Sequence, residues 1–219
     1  MSDTSFTQLL DLAVGTVVVA SFAALWSRRL VGVIRILSVQ GVALAAVALL
    51  IGVHESEPEL VAVALMVLVL RGFILPALIM RALHATTSRI EVESLINVPS
   101  SLLAASVMTL VAYAVSRDLV ALADTPHAQA MPLGIAVALI GILMLVTRRK
   151  AIMQIAAILM LDNGIALVMF LGTSGVPLAV ELGIASDVLL AVLVLQVLTS
   201  RIHLAFGGGD LDQLTGLRE

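Results

Sequence analysis

A few side chains in this sequence combine charge or strong polarity with apolar surroundings. Asp162 and Asn163 interrupt "IAAILMLDNGIALVMF" (155–170), Asp187 lies in "VELGIASDVLLAVLVLQVLTSRI" (180–202), and Arg71 lies in "LMVLVLRGFILP" (65–76). Glu181 stands six positions before Asp187. Carboxylates in apolar surroundings hold their protons more tightly, and a nearby cation loosens them again. Two carboxylates with a buried arginine can therefore hold or pass a proton with modest energy changes. That is the chemistry of a proton relay. It has meaning only if these residues lie inside a membrane.

Composition answers that. Of 219 residues, 61% are hydrophobic and 12% are charged, and the mean hydropathy is +1.15. Soluble domains carry about 25% charged residues and about 45–50% apolar ones. Several membrane spans of about 20 apolar residues each account for the excess. The net charge of −3 gives no sign of nucleic-acid binding. With no cysteine in the sequence, disulfides, thiolate ligation of iron–sulfur clusters and thiol catalysis are excluded.

The fold class is all-α, a polytopic membrane protein with about seven spans, near 7–26, 33–53, 59–80, 99–116, 131–147, 151–172 and 178–203. Short polar segments punctuate them: "SRR" (27–29), "HESEPE" (54–59), "SRDLVALADTPHAQAMP" (116–132), "TRRK" (147–150) and "GTSGVP" (172–177). Residues 82–98 are too polar to span and read as an amphipathic surface segment. The chain divides into a four-helix region (1–130), a three-helix region (131–206) and a polar tail (207–219). Arg28, Arg29, Arg35, Arg81, Arg89, Arg148, Arg149, Lys150, Arg201 and Arg218 fall on one side, Arg117 on the other. The positive-inside rule then puts the N-terminus outside and the C-terminus in the cytoplasm. The first span has no positive charge before it, so it reads as a retained helix and not as a signal peptide.

Depth links the charged groups. At about 1.5 Å per residue, Asp162 lies roughly 18 Å from the boundary at Lys150, and Asp187 roughly 21 Å from the boundary at Arg201. The two carboxylates thus reach nearly one level of the bilayer. Arg71, roughly 15 Å from Arg81, can approach it. Each charge at the bilayer centre costs about 2.5–3.5 kcal/mol, which implies a partner or a cavity. A proton relay through Asp162, Asn163 and Asp187 is one reading, with Arg71 as charge partner. Interhelical hydrogen bonding is the other for Asp162 and Asn163, and a structural ion pair for Arg71. Glu181 is a weaker relay candidate, about 120° round the helix from Asp187.

The other polar residues carry less. Gln40, Gln154 and Gln196 read as helix-packing groups. His54, Glu55, Glu57 and Glu59 form a solvated acidic turn, not a metal cluster. Glu91 and Glu93 belong to the cytoplasmic connection, and His84, His127 and His203 are scattered and show no ligand spacing. No phosphate-binding glycine loop is present, since "GGG" (207–209) is not followed by Lys-Ser/Thr. Neither catalytic residues nor a metal or cofactor site is expected in this chain.

The last three spans resemble the small three-helix membrane subunit K of respiratory complex I, and the related small membrane component of multisubunit cation/proton antiporters. The residues that carry this likeness are "VTRRKAIMQIAAILMLDNGIALVMF", "VELGIASDVLLAVLVLQVLTSRI" and "DLDQLTGLRE". The seven-span whole resembles hydrogenase-4 component E of formate hydrogenlyase-type group 4 [NiFe]-hydrogenase complexes. Asp162-Asn163-Gly164 corresponds to that family's acidic-Asn-Gly step, usually with Glu, and Glu181-Leu182-Gly183…Asp187 to its later acidic motif. In the complex I protein, the first buried carboxylate stands one helical turn earlier, where this chain has Leu159, a shift of about 4.5 Å.

The resemblance implies a non-catalytic membrane-arm subunit of a large oxidoreductase in a bacterial or archaeal cell membrane. The [NiFe] centre and iron–sulfur clusters would belong to peripheral hydrogenase subunits. Antiporter-like and other membrane-arm subunits, and the lipid bilayer, would be its neighbours. Asp162 and Asp187 would join the polar axis of that arm. Membership of a cation/proton antiporter without redox partners, and a purely structural scaffold, are the alternative readings.

Overall fold

The computed structural model describes residues 3–85, 97–123, 127–148 and 151–172. These residues form α1 (Asp3–Trp26), α2 (Leu30–His54), α3 (Pro58–Val67), a π turn (Leu68–Ile74), α4 (Leu75–Ala85), α5 (Val98–Val115), α6 (Arg117–Leu122), a 3₁₀ turn (Ala128–Ala130), α7 (Met131–Thr147) and α8 (Ala151–Gly172), with no strand among them. Six helical stretches are long and apolar enough to cross a membrane: Thr4–Trp26, Leu30–His54, Pro58–Arg81, Val98–Val115, Ala128–Thr147 and Ile152–Gly172. The seventh expected span (178–203), the segment 86–96 and the tail 207–219 lie outside the described residues.

Prolines mark where helices begin. Pro58, Pro99 and Pro132 each occupy the first turn of their helix, where a missing N–H costs nothing. Between α2 and α3 the chain reverses through Ser56, which takes the left-handed conformation at φ 60°. The Glu57 amide donates to the Gly52 carbonyl at 2.9 Å, the long-range bond of a Schellman helix end.

Packing follows the small residues. A Cβ on Gly141 of α7 would come 2.6 Å from the Leu161 amide nitrogen of α8, and one on Gly134 would come 2.9 Å from that of Val168. On α8, a Cβ on Gly164 would collide with the Ala138 amide nitrogen. Backbones this close are the usual basis of helix association in lipid, where water gives no hydrophobic drive between helices. The α7–α8 hairpin then lies against α1 and α2, with α5 beside α7. Leu103, Leu110 and Val115 of α5 are exposed, as suits contact with lipid.

The two ends of the bundle differ. At one end the Phe6 ring stacks on His54 with centroids 4.0 Å apart and meets His127 edge-on at 4.9 Å. At the other, the buried Arg148 donates from Nη2 to the Leu25 carbonyl at 2.9 Å, at the C-terminal end of α1. That puts a cation on the negative end of the helix dipole. Burial lowers the Arg148 pKa from its ordinary value.

Two sequence expectations need correction here. The 54–59 turn is not uniformly solvated: Glu57 and Glu59 are exposed, but His54 and Glu55 are partly buried under Phe6 and His127. His127 is therefore not an isolated histidine, because α1, α2 and the approach to α7 converge on it. The connection 116–132 also carries helical structure, α6 and the 3₁₀ turn. Asp118 in the first turn of α6 favours a short helix there.

Candidate functional site

The site begins with a helix that cannot continue regularly. Pro76 lies in the first turn of α4, with helix on both sides, and its ring crowds the carbonyl one turn earlier while offering no N–H. The chain answers with the π turn, in which the Leu75 amide bonds back to the Leu70 carbonyl. Gly72 loses its proline-side donor, and the Ser38 hydroxyl of α2 donates to its carbonyl instead. Side-chain hydroxyls commonly satisfy backbone freed by proline within membranes. Gly41 lets α2 approach, since a Cβ there would sit 2.5 Å from the Arg71 carbonyl oxygen. Such π turns inside α-helices frequently mark functional positions. Here the turn carries Arg71.

Arg71 reaches α8. Its Nη2 lies 2.5 Å from Asp162 Oδ2, and its Nη1 donates to Asn163 Oδ1 at 2.8 Å. The rest of the network follows from donor and acceptor rules. Asn163 must present its oxygen to the guanidinium, which has only donors. Its Nδ2 then donates to Gln40 Oε1 at 3.0 Å. Gln40 in turn donates from Nε2 to Ser21 Oγ at 2.8 Å and to the Val17 carbonyl at 3.3 Å. Ser21 completes the line by donating to the Val17 carbonyl at 2.9 Å. Gln40 and Ser21 are fully enclosed, and Arg71, Asp162 and Asn163 are each at most 8% exposed. The line thus runs from α8 through the π turn and back across α2 to α1.

Chemically, the guanidinium holds a carboxylate with one nitrogen and an amide with the other. Ionised hydrogen bonds are roughly twice as strong as neutral ones, so this charged pair joins α8 firmly to the π turn.

Of the sequence candidates, Arg71, Asp162 and Asn163 come together. Asp187 and Glu181 lie outside the described residues. Gln40 does pack helices, as expected of it, but it is also continuous with the charged pair, which the sequence reading missed along with Ser21 and Ser38. The depth arithmetic used for the carboxylates places Gln40 roughly 16 Å from Arg29, level with Asp162. Gln154 donates to the Arg148 carbonyl at 3.4 Å, a local contact at the end of α7. Among the described residues, no three His, Cys, Asp or Glu side chains gather to hold a metal ion.

At the other end of the bundle, burial and the charge of His54 lower the His127 pKa, and burial raises that of Glu55, opposed by His54 and reinforced by Glu57. His127 Nε2 lies 3.8 Å from Glu55 Oε1.

An all-helical, multi-pass membrane protein with an ion pair enclosed at the centre of its bundle is the class that these features define. Comparison with known proteins narrows it. The chain is 44% identical over 220 residues, the full length of both proteins, to Rv0085 of Mycobacterium tuberculosis, described as uncharacterized, and it belongs to that protein's family. It is also 34% identical over 122 residues to hydrogenase-4 component E of Escherichia coli K12 and of Shigella flexneri. That match covers 54% of this chain and 54% of each of those relatives, so the homology is partial. No family model matches the chain. No solved structure matches it.

Proposed function

We propose that the protein is a membrane subunit of a hydrogenase-type complex, in which the Asp162–Arg71 pair responds to protons moving through the membrane arm. The partial homology to hydrogenase-4 component E supports membership of such a complex. The observation that carries the proton role is the 2.5 Å contact between Arg71 and Asp162 at the centre of the bundle. An ionisable pair kept inside a membrane is a functional site by default, because an apolar pair would cost less.

In this reading Asp162 takes up and releases the proton. Arg71 stabilises its charged form, and Asn163 holds the guanidinium while the carboxyl is neutral. Asp187, at nearly the same calculated depth, continues the path, with Glu181 toward its outer end. The N-terminus faces outward, in the cell membrane of a bacterium or archaeon. The three-helix region 131–206 acts as the subunit K-like part. Antiporter-like subunits flank this chain, and peripheral hydrogenase subunits hold the [NiFe] and iron–sulfur centres.

One observation favours a second reading, a structural clamp. On its α2 and α1 side the network ends, through Asn163, Gln40 and Ser21, on a backbone carbonyl, as a purely cohesive network would. One experiment separates the two. The intact assembly is purified in mild detergent, its subunits are identified, and proton uptake per electron is measured in vesicles. Under the leading proposal hydrogenase subunits co-purify, and Asp162→Asn leaves the assembly intact while proton uptake falls at least tenfold. An assembled Asp162→Asn complex with undiminished uptake would leave only the clamp. A chain that emerges alone would end the reading as part of a complex altogether.

A further inference from the structure

An apolar groove of about 490 Å³ runs along the last two turns of α1. Val19, Phe22, Ala23 and Trp26 line it from α1, at the i, i+3, i+4, i+7 spacing of one helix face, with Ile36 of α2 and Leu102 of α5 opposite. The volume falls within the range of about 300–1,000 Å³ usual for small-ligand sites. The groove opens at the end of the bundle where α1 stops. Trp26, which borders it, is 68% exposed, as are indole rings that sit at headgroup level.

Among the described residues, the charged side chains next in sequence to that lining are basic. Arg28 and Arg29 follow Trp26 and Ser27 directly, and Arg35 precedes the lining residue Ile36; all three arginines are exposed. None forms an ion pair with a described residue. An apolar slot with a cationic rim, opening at the membrane–water boundary, is complementary to one ligand chemistry: a hydrocarbon chain attached to an anionic headgroup.

We infer that this groove binds an anionic phospholipid, with an acyl chain against Ala23 and Phe22 and the phosphate at Arg28 and Arg29. A zwitterionic lipid offers the same chain, but its headgroup cation opposes the arginines. A transmembrane helix of another protein would satisfy the slot and leave the arginine rim unpaired. The inference is independent of proton coupling at Asp162.

The test uses the full chain in detergent, titrated with dioleoylphosphatidylglycerol or dioleoylphosphatidylcholine and read by native mass spectrometry. Phosphatidylglycerol is expected to bind at least tenfold more tightly. Arg28→Gln with Arg29→Gln should weaken it by about fivefold per arginine, on the usual attraction of basic residues to anionic lipid, and leave phosphatidylcholine unchanged. Ala23→Trp, which fills the slot, should weaken both lipids. Equal binding of the two lipids would overturn the inference, as would indifference to Ala23→Trp or displacement of the lipid by inorganic phosphate alone. In the assembled complex, a photo-crosslinker attached at Trp26→Cys, on the exposed border of the groove, should label lipid. Labelling of a neighbouring protein would assign the groove to a helix and defeat the proposal.

Discussion

The Ser38 hydroxyl donates to the Gly72 carbonyl, supplying the hydrogen bond that Pro76 cannot. Through this contact α2 holds the π turn that points Arg71 at α8. Ser38→Ala should lower thermal stability in detergent by about 1 kcal/mol, the usual net worth of such a bond. Pro76→Ala restores an N–H at that position, so the same Ser38→Ala change should then cost much less. A double-mutant cycle measures the difference. Additive effects would show that the hydroxyl and the proline do not share one carbonyl.

Gln40 is the joint between the charged pair and α1. Gln40→Leu leaves Asn163 Nδ2 and Ser21 Oγ without their partner, and an orphaned buried polar group costs about 1–3 kcal/mol. Unfolding of the purified protein should show that loss. Asn163 has to stay, because its Oδ1 accepts from Arg71. Ser21→Ala should therefore cost less in the Gln40→Leu background than in the wild type, since the Gln40–Ser21 bond is already lost there. Equal costs in the two backgrounds would count against the network as described.

Gly164 decides how closely α8 approaches α7. A Cβ there would overlap backbone atoms of Ala138 and Gly134, which no rotamer change relieves. Overpacking of this kind costs typically about 1–3 kcal/mol. Gly164→Ala should therefore destabilise the chain by at least that amount. Gly15, with nothing near its Cβ position, serves as the control: Gly15→Ala should be neutral or slightly stabilising. Equal effects of the two changes would contradict the close α7–α8 contact.

The histidine cluster predicts a pH dependence of stability. His127 has a lowered pKa, chiefly from burial and further from the charge of His54. Below the unfolded value of about 6.5, the unfolded chain binds more protons at this residue than the folded one, so its contribution to stability is lost as pH falls. Glu55 has a raised pKa, chiefly from burial. Its contribution has the opposite sign: it is present below the unfolded value of about 4.3 and is lost as pH rises through the raised folded value. Melting temperatures of the wild type and His127→Phe, taken from pH 8 to 5, should diverge below about pH 6.5, with the variant declining less. Parallel curves would argue that His127 titrates normally.

Much of this protein is readable from its chain alone, because lipid permits few solutions to the backbone. Hydrocarbon forces unbroken helices, so the apolar stretches and their polar breaks already announce the bundle, and the helices agree with six of the expected spans. The rarity of charge in hydrocarbon singles out Arg71 and Asp162 in the same way. Which groups meet was decided only by the tertiary structure. Depth along a helix follows from counting residues, but the direction a side chain faces depends on how neighbouring helices are rotated against each other. The π turn changes that rotation locally, and the glycines of α7 and α8 set how near the helices come. For that reason Gln40 passed as ordinary packing and His127 as a stray histidine, until the folded chain placed one beside Asn163 and the other beneath Phe6.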